Sequence, residues 1–223
     1  MMKLSKETTE ILKNFAAINP SLVFQSGNVQ RTVSPQKTVL AKASVTESFD
    51  KEFAIVDLSQ FISTISMFEE PDIKLGTDSV TISNGKARST FRYGSASLIQ
   101  SPPNKEINLP SEEISFTLEA TALQFALRAA GVQGLPELAL VGKGGKAYLT
   151  ALDSRNDGTN TFEYEVGDAN ANYRMVFRIE NLKILNRDYD VRVSAKGISH
   201  FKSSKGDVEY WIATEQSSSK YGD

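Results

Sequence analysis

A helical period followed by several short strands recurs along this chain, and that recurrence constrains its fold more than any other feature. The first helical segment is "LSKETTEILKNFAAIN" (4–19), in which Leu4, Thr8, Ile11, Leu12, Phe15 and Ile18 recur at spacings of three and four. Ser5 is placed to cap it. Asn19-Pro20 ends it, because a residue before proline is driven out of helical geometry. Runs rich in β-branched residues follow: "SLVFQSG", "VQRTVS", "TVLAKASV" and "EFAIV". The period then returns to helical in "DLSQFISTISMF" (57–68), which aligns Leu58, Phe61, Ile62, Ile65 and Phe68 behind Asp57 or Ser59. The strands "DIKLG", "SVTISN" and "ARSTFRYG" come next, with Asn84-Gly85 as a hairpin signal.

The pattern restarts after residue 113. "ISFTL" reads as a strand and "EATALQFALRAAGVQ" as a third helix, with Leu123, Ala126, Leu127 and Ala130 inward and Gly131 as its stop. "ELALVG", "KAYLTALD", "TFEYEVG" and "YRMVFR" are strands, "IENLKILN" (179–186) is a shorter fourth helix, and "DYDVRVSAKG", "SHFKS" and "VEYWIATE" complete the chain. The four helices start near residues 5, 57, 120 and 180, a period of about 50 to 60 residues that marks a duplicated supersecondary unit. Two units make one α+β domain, helices on one side and antiparallel sheets on the other. The expected division is a domain over 1–97, a linker over 98–113 ("LIQSPPNKEINLPSEE", three prolines and no period), and a second domain over 114–223.

Composition narrows the function. The 223 residues are 40% hydrophobic, enough to bury one large or two ordinary cores, and no run approaches the roughly 18 apolar residues of a membrane span, so no membrane role is expected. The absence of cysteine excludes disulfides, thiolate metal sites and cysteine nucleophiles, and favours the cytoplasm. A net charge of -2 argues against a protein that coats nucleic acid over its whole surface, while leaving room for a local basic patch.

Catalytic, metal and cofactor sites are not expected. His200 is the single histidine, without a matching partner motif, and reads as a surface or edge-strand residue. "VGKGGKA" (141–147) lacks the GxxxxGK[ST] spacing of a phosphate loop and reads as a hairpin turn. "DSRNDGTNTFEY" (153–164) opens like a calcium loop with Asp153, Asp157 and Gly158, but puts Arg155 at the third position and Tyr164 where the bidentate glutamate belongs. Glu69, Glu70 and Asp72 read as a solvated loop.

The first helix carries Lys3, Lys6 and Lys13 opposite its apolar stripe, a face that is either merely solvated or turned toward an anion. Here the chain resembles the sliding DNA clamps of large tailed bacteriophages, the ring-shaped polymerase processivity factors related in fold to proliferating cell nuclear antigen. The segments that carry the resemblance are "KLSKETTEILKNFAAIN", "ARSTF" (87–91) and "DYDVRVSAKG" (188–197), within a matching order, length and two-domain layout. The resemblance implies a head-to-tail homotrimer threaded by duplex DNA, its helices lining the hole and its sheets forming the rim. Three chains of four helices give twelve, and neighbouring axes roughly 8 to 10 Å apart make a circle about 100 to 120 Å around. Less helix thickness of roughly 10 to 12 Å, the hole is on the order of 20 to 30 Å across. Lys3, Lys6, Lys13, Arg128, Lys183 and Arg187 are the expected DNA-facing residues, a thin basic lining suited to sliding without sequence specificity.

The expected subunit joint pairs Ser89, Thr90, Phe91, Arg92 and Tyr93 with Thr161, Phe162, Glu163 and Tyr164, on through Val166, of a neighbour, since unpaired edges invite strand addition. The resemblance further implies that a polymerase peptide occupies an apolar pocket between the domains, bordered by Leu98, Ile107, Leu109, Pro110, Trp211 and Ala213. Expected partners are the replicative DNA polymerase, a clamp-loader ATPase complex and late-transcription factors, in the cytoplasm of an infected bacterium. The alternative reading is a structural β-rich virion protein.

Overall fold

The computed structural model describes residues 2–103, 105–156 and 158–222; Asp157 of the calcium-like segment lies outside the described residues. The chain divides into two units, Met1–Asn104 and Lys105–Asp223.

The first unit runs α1 (Lys6–Ile18), β1 (Leu22–Phe24), β2 (Gly27–Val33), β3 (Val39–Phe49), β4 (Phe53–Ile55), α2 (Leu58–Ser66), β5 (Asp72–Leu75), β6 (Ser79–Ser83) and β7 (Arg88–Arg92). β1 pairs with β4, β2 with β3, and β5, β6 and β7 form an antiparallel sheet in that order. Thr8, Ile11, Leu12, Phe15 and Ile18 are buried as the period predicts, whereas Leu4 and Lys3 precede the first helical residue and belong to no helix. The Ser5 side chain accepts the Thr8 N–H at 3.1 Å. Glu47, reaching over from β3, accepts from the Ser5 N–H and the Thr8 hydroxyl, so a carboxylate sits at the positive end of the α1 dipole. The Asp57 side chain caps α2 by accepting the Gln60 N–H at 2.7 Å, and Leu58, Phe61, Ile62 and Ile65 turn inward. Phe24 stacks on Phe53 at 4.5 Å and meets Phe61 edge-on at 6.1 Å, joining the strands to α2. The Asn84-Gly85 hairpin forms, with Gly85 at φ 87.

The second unit runs β8 (Ile114–Leu118), α3 (Ala120–Gln133), β9 (Glu137–Lys143), β10 (Lys146–Leu152), β11 (Phe162–Asp168), β12 (Tyr173–Arg178), β13 (Tyr189–Ser194), β14 (Ile198–Ser203), β15 (Val208–Ala213) and β16 (Lys220–Tyr221). One antiparallel sheet has the order β11, β10, β9, β12, β16; in the other, β14 lies between β15 and β13, and β13 pairs with β8. Gly144 and Gly145, at φ 60 and 81, make the tight β9–β10 hairpin in "VGKGGKA". Ala122, Leu123, Ala126 and Ala130 of α3 are buried, with Leu127 half-buried beside them. The helix runs past Gly131 to Gly134, whose φ of 67 supplies the left-handed stop, so the expected terminus is three residues early. At the other end Glu119 makes no side-chain cap, and Asp188 accepts the Ala120 N–H at 2.8 Å instead.

The expected fourth helix over 179–186 does not form. Only Ile179–Asn181 makes a 3-10 turn. The Leu185 N–H donates to the Tyr210 hydroxyl at 3.2 Å and its carbonyl accepts from the Tyr189 hydroxyl at 2.6 Å, so buried phenols claim the backbone groups a helix would pair internally. A segment this short, lacking a side-chain cap, does not repay the cost of helix nucleation against that competition. The described residues of each chain therefore carry three α-helices. Burial raises the pKa of both phenols, which stay neutral, Tyr189 donating and Tyr210 accepting. Tyr189→Phe, which strands the Leu185 carbonyl, is expected to cost about 1 to 3 kcal/mol, read as a lower urea midpoint at constant m-value. An unchanged midpoint would mean that the carbonyl is satisfied another way.

Candidate nucleic-acid face, ring edges and partner surface

At about 100° per residue, the buried stripe of α1 fixes what faces away from it. Lys6 and Lys13 lie opposite the stripe, two turns apart, both exposed and without an ion pair among the described residues. On α3 the position farthest from the buried alanines is Arg128, also exposed and unpaired in the same sense. The outward face of α2 holds Gln60, Ser63 and Met67 and no charge. Lys3 stands before α1, its ammonium 2.9 Å from the Glu70 carboxylate, which raises the Lys3 pKa and lowers that of Glu70. Lys183 is exposed on the irregular segment after the 3-10 turn. Arg187, on the same segment, keeps only 14% of its side chain exposed, with Nε 3.6 Å from an Asp207 oxygen. Of the six residues singled out in the sequence, the three with helical positions and free cationic heads are Lys6, Lys13 and Arg128.

The two strands expected at the joint are both sheet edges: among the described residues β7 pairs only with β6 and β11 only with β10. Along β7, Ser89 and Phe91 are half-buried while Arg88, Thr90 and Arg92 are exposed. Along β11, Phe162, Tyr164 and Val166 are half-buried while Glu163 and Glu165 are exposed. One edge thus presents arginines and the other glutamates over an apolar underside. Thr161 is exposed just before β11, and the Tyr93 hydroxyl donates to the Gly76 carbonyl at 3.2 Å beneath the Lys51 ammonium, 5.1 Å above its ring. The charges already have exposed partners within the chain: Arg92 with Asp78, Glu163 with Lys143 at 2.6 Å, and Glu165 with Lys146 at 3.1 Å. Exposed pairs of this kind contribute little and are readily exchanged. Sequence reasoning missed Arg88, which strand alternation carries, and Phe125. That side chain is off the buried stripe of α3, 48% exposed, and packs edge-on against Phe162 at 5.2 Å and Tyr164 at 5.8 Å.

The residues expected to bind a partner peptide fall in both units. In the first, Leu98 ends the 3-10 turn Ala96–Leu98 with 84% exposure. In the second, Ile107 and Leu109 are half-buried and Pro110 is exposed. The Ser111 hydroxyl bonds that of Ser194 at 2.6 Å, Ser194 lies opposite Ile198, and Ile198 opposite Ala213, so the end of this segment and Ala213 share one row of the sheet. Two residues along, in the adjoining row of the same face, Arg192, His200 and Trp211 lie across from one another. Trp211 is buried, stacked on the His200 ring at 4.6 Å, and its Nε1 has no acceptor among the described residues. His200 is therefore not on an edge: it sits half-buried on an inner strand, 2.9 Å from Glu209. Its pKa is lowered by burial, with Glu209 opposing.

Two family models together span most of the chain: one described as DNA polymerase processivity factor matches residues 5–100, and one described as gp45 sliding clamp, C terminal, matches residues 115–216. The chain is 33% identical over 222 residues to a protein named sliding clamp from Vibrio phage KVP40, covering 96% of this chain and 99% of that one. It is 30% identical to the sliding clamp of Escherichia phage RB69, over 97% of this chain and 98% of the relative. Its fold is similar to that of A. fulgidus PCNA, solved with the C-terminal region of FEN-1 bound, with a TM-score of 0.69 at 14% identity over 96% of both chains. A full-length match at this identity together with both halves of the family signature settles the relationship: the chain belongs to the sliding clamps, the DNA polymerase processivity factors of tailed phages.

Proposed function

We propose that this clamp closes head to tail as a homotrimer around duplex DNA, without sequence specificity, and tethers the replicative DNA polymerase inside the infected bacterium. The observation that carries the reading is the pair of bare edges. β7, bearing arginines, ends the β5–β6–β7 sheet of the first unit, and β11, bearing glutamates, ends a sheet of the second. A chain with two complementary, non-identical edges satisfies both only by heterologous association, which gives a ring when the rotation between neighbours closes. Lys6, Lys13 and Arg128, facing away from their cores, are the residues assigned to the DNA; Lys183 is a secondary contributor, and the ion pairs of Lys3 and Arg187 reduce theirs. With three helices per chain, a trimer is lined by nine, the irregular segment around Lys183 taking the place of a fourth in each subunit. A clamp-loader ATPase opens the ring, late-transcription factors share the polymerase platform, and no enzymatic step is required of the clamp. Nothing in the structure favours a virion scaffold.

The test is retention on closed circular DNA after loading with the matching loader and ATP. The full chain should remain bound to the circle and fall off once the circle is cut; binding that survives linearisation would mean grip rather than encirclement. Lys6→Ala, Lys13→Ala and Arg128→Ala combined should weaken loading and lower the salt slope by about one unit for each phosphate no longer neutralised. These are solvated positions, where substitutions usually change stability by no more than about 0.5 kcal/mol. An unaltered salt dependence in the triple variant would turn these faces away from DNA.

A further inference from the structure

The five-stranded sheet of the second unit has a second end, and it is guarded differently. β11 is protected by its own glutamates, whereas β12 reads "YRMVFR", with Tyr173, Met175, Val176 and Phe177 all buried. An edge of that composition is a template for strand addition. The C-terminal segment lies along it. The Glu215 N–H donates to the Val176 carbonyl at 2.8 Å, the Val176 N–H donates to the Ser219 hydroxyl at 2.9 Å, and the Gly222 N–H donates to the Asn172 carbonyl at 2.9 Å. Between these, β16 adds a ladder of only two residue pairs, Lys220 with Arg174 and Tyr221 with Tyr173, the two tyrosine rings stacked 6.3 Å apart. The Ser218 hydroxyl reaches that of Ser154, beyond the end of β10, at 3.0 Å, and Glu215 holds Arg178 at 2.9 Å.

This covering is shallow: one partner of Val176 is a side-chain hydroxyl rather than a strand, and the ladder beside it holds two residue pairs. Removing it would bare the β12 backbone and release Arg178 from Glu215. The uncovered edge would carry half-buried Arg174 and exposed Arg178, the latter still 3.5 Å from Glu180, matching in sign the Arg88 and Arg92 of β7 and opposite to the Glu163 and Glu165 of β11. We propose that the outer edge of β12 is a latent docking edge for the β11 edge of a second copy of this chain, kept shut by residues 215–222 so that β7 alone meets β11. Pairing β12 with β11 of the next copy would leave that copy's own β12 open in turn, a heterologous contact with no reason to close. The strap is thus a selector for the ring over open-ended assembly. That role rests on the ring reading above, but the latent edge itself does not.

The experiment compares the full chain with one ending at Thr214, by sedimentation over a concentration series and by electron microscopy. The truncated chain should form assemblies whose size grows with concentration beyond that of the full chain. Adding Glu163→Arg and Glu165→Arg should suppress that growth, and so should Arg174→Glu with Arg178→Glu, which reverses the charge of the bared edge. Adding Arg88→Glu and Arg92→Glu should leave the growth intact, because it does not use β7; this arm separates failure of the latent edge from failure of the ring. A truncated chain with the size distribution of the full chain would overturn the proposal. So would growth that persists with Glu163→Arg and Glu165→Arg, the signature of simple misfolding.

Discussion

Reversing the charge of β7, with Arg88→Glu and Arg92→Glu together, is expected to convert the proposed trimer to monomer. Native mass should fall from three times 24.5 kDa to the chain mass, with no change in the unfolding midpoint of the monomer. Both arginines are exposed on an edge strand and contribute little to their own domain, so the cost falls on the joint. There, four carboxylates would face one another at strand-pairing distance, and like-charge juxtaposition at an interface costs on the order of several kcal/mol. Combining the reversal with Glu163→Arg and Glu165→Arg restores opposite signs and should recover the trimer in part. Recovery stays incomplete because the present partners within the chain keep their charges. The carboxylate introduced at position 92 would face Asp78, and the guanidinium groups introduced at positions 163 and 165 would face Lys143 and Lys146. Such recovery is the coupling that a double-mutant cycle detects, and general destabilisation cannot imitate it. A trimer that persists through the first pair of substitutions would place the joint elsewhere.

The second large effect concerns the polymerase. Leu109→Asn and Ala213→Asn are each expected to weaken binding of a polymerase tail peptide about 30-fold, the removal of an apolar anchor worth about 2 kcal/mol. Both positions are half-buried, and the row from Ser111 through Ser194 and Ile198 to Ala213 brings the segment that holds Leu109 to the sheet that holds Ala213. Trp211, in the adjoining row, is covered by His200 and supports that surface instead of offering an exposed anchor. The measurement is titration of a labelled peptide against each variant, with native mass and DNA loading as controls. Equal affinity in folded, trimeric protein would move the peptide site to another part of the ring.

Much of this molecule follows from side-chain order alone. The period of three and four in residues 4–19 and 57–68 dictates α1 and α2 because an amphipathic stripe has one way to leave water, and the residues buried are those the period aligns. Alternation dictates the strands and which of their residues face out, and Asn84-Gly85 and Gly144-Gly145 dictate two hairpins through the positive φ of their glycines. Family membership was legible too, carried by "KLSKETTEILKNFAAIN" and by the order of the elements. Tertiary structure alone decided matters in which a distant group competes for a local one. Residues 179–186 have a helical pattern, but two tyrosines from β13 and β15 take the Leu185 backbone, and no local signal announces a hydroxyl arriving from 25 residues away. Arg187 looks like Lys13 in sequence and differs because Asp207 folds against it; Lys3 differs because Glu70 does. Which strands are edges is likewise invisible along the chain, since β7, β11 and β12 have similar propensity. Only the pairing of β9 between β10 and β12, and the return of the C-terminus onto β12, leave β11 open at one end of the sheet and close the other. Local propensity acts over one or two turns, whereas exposure, charge pairing and edge status belong to the whole packed domain.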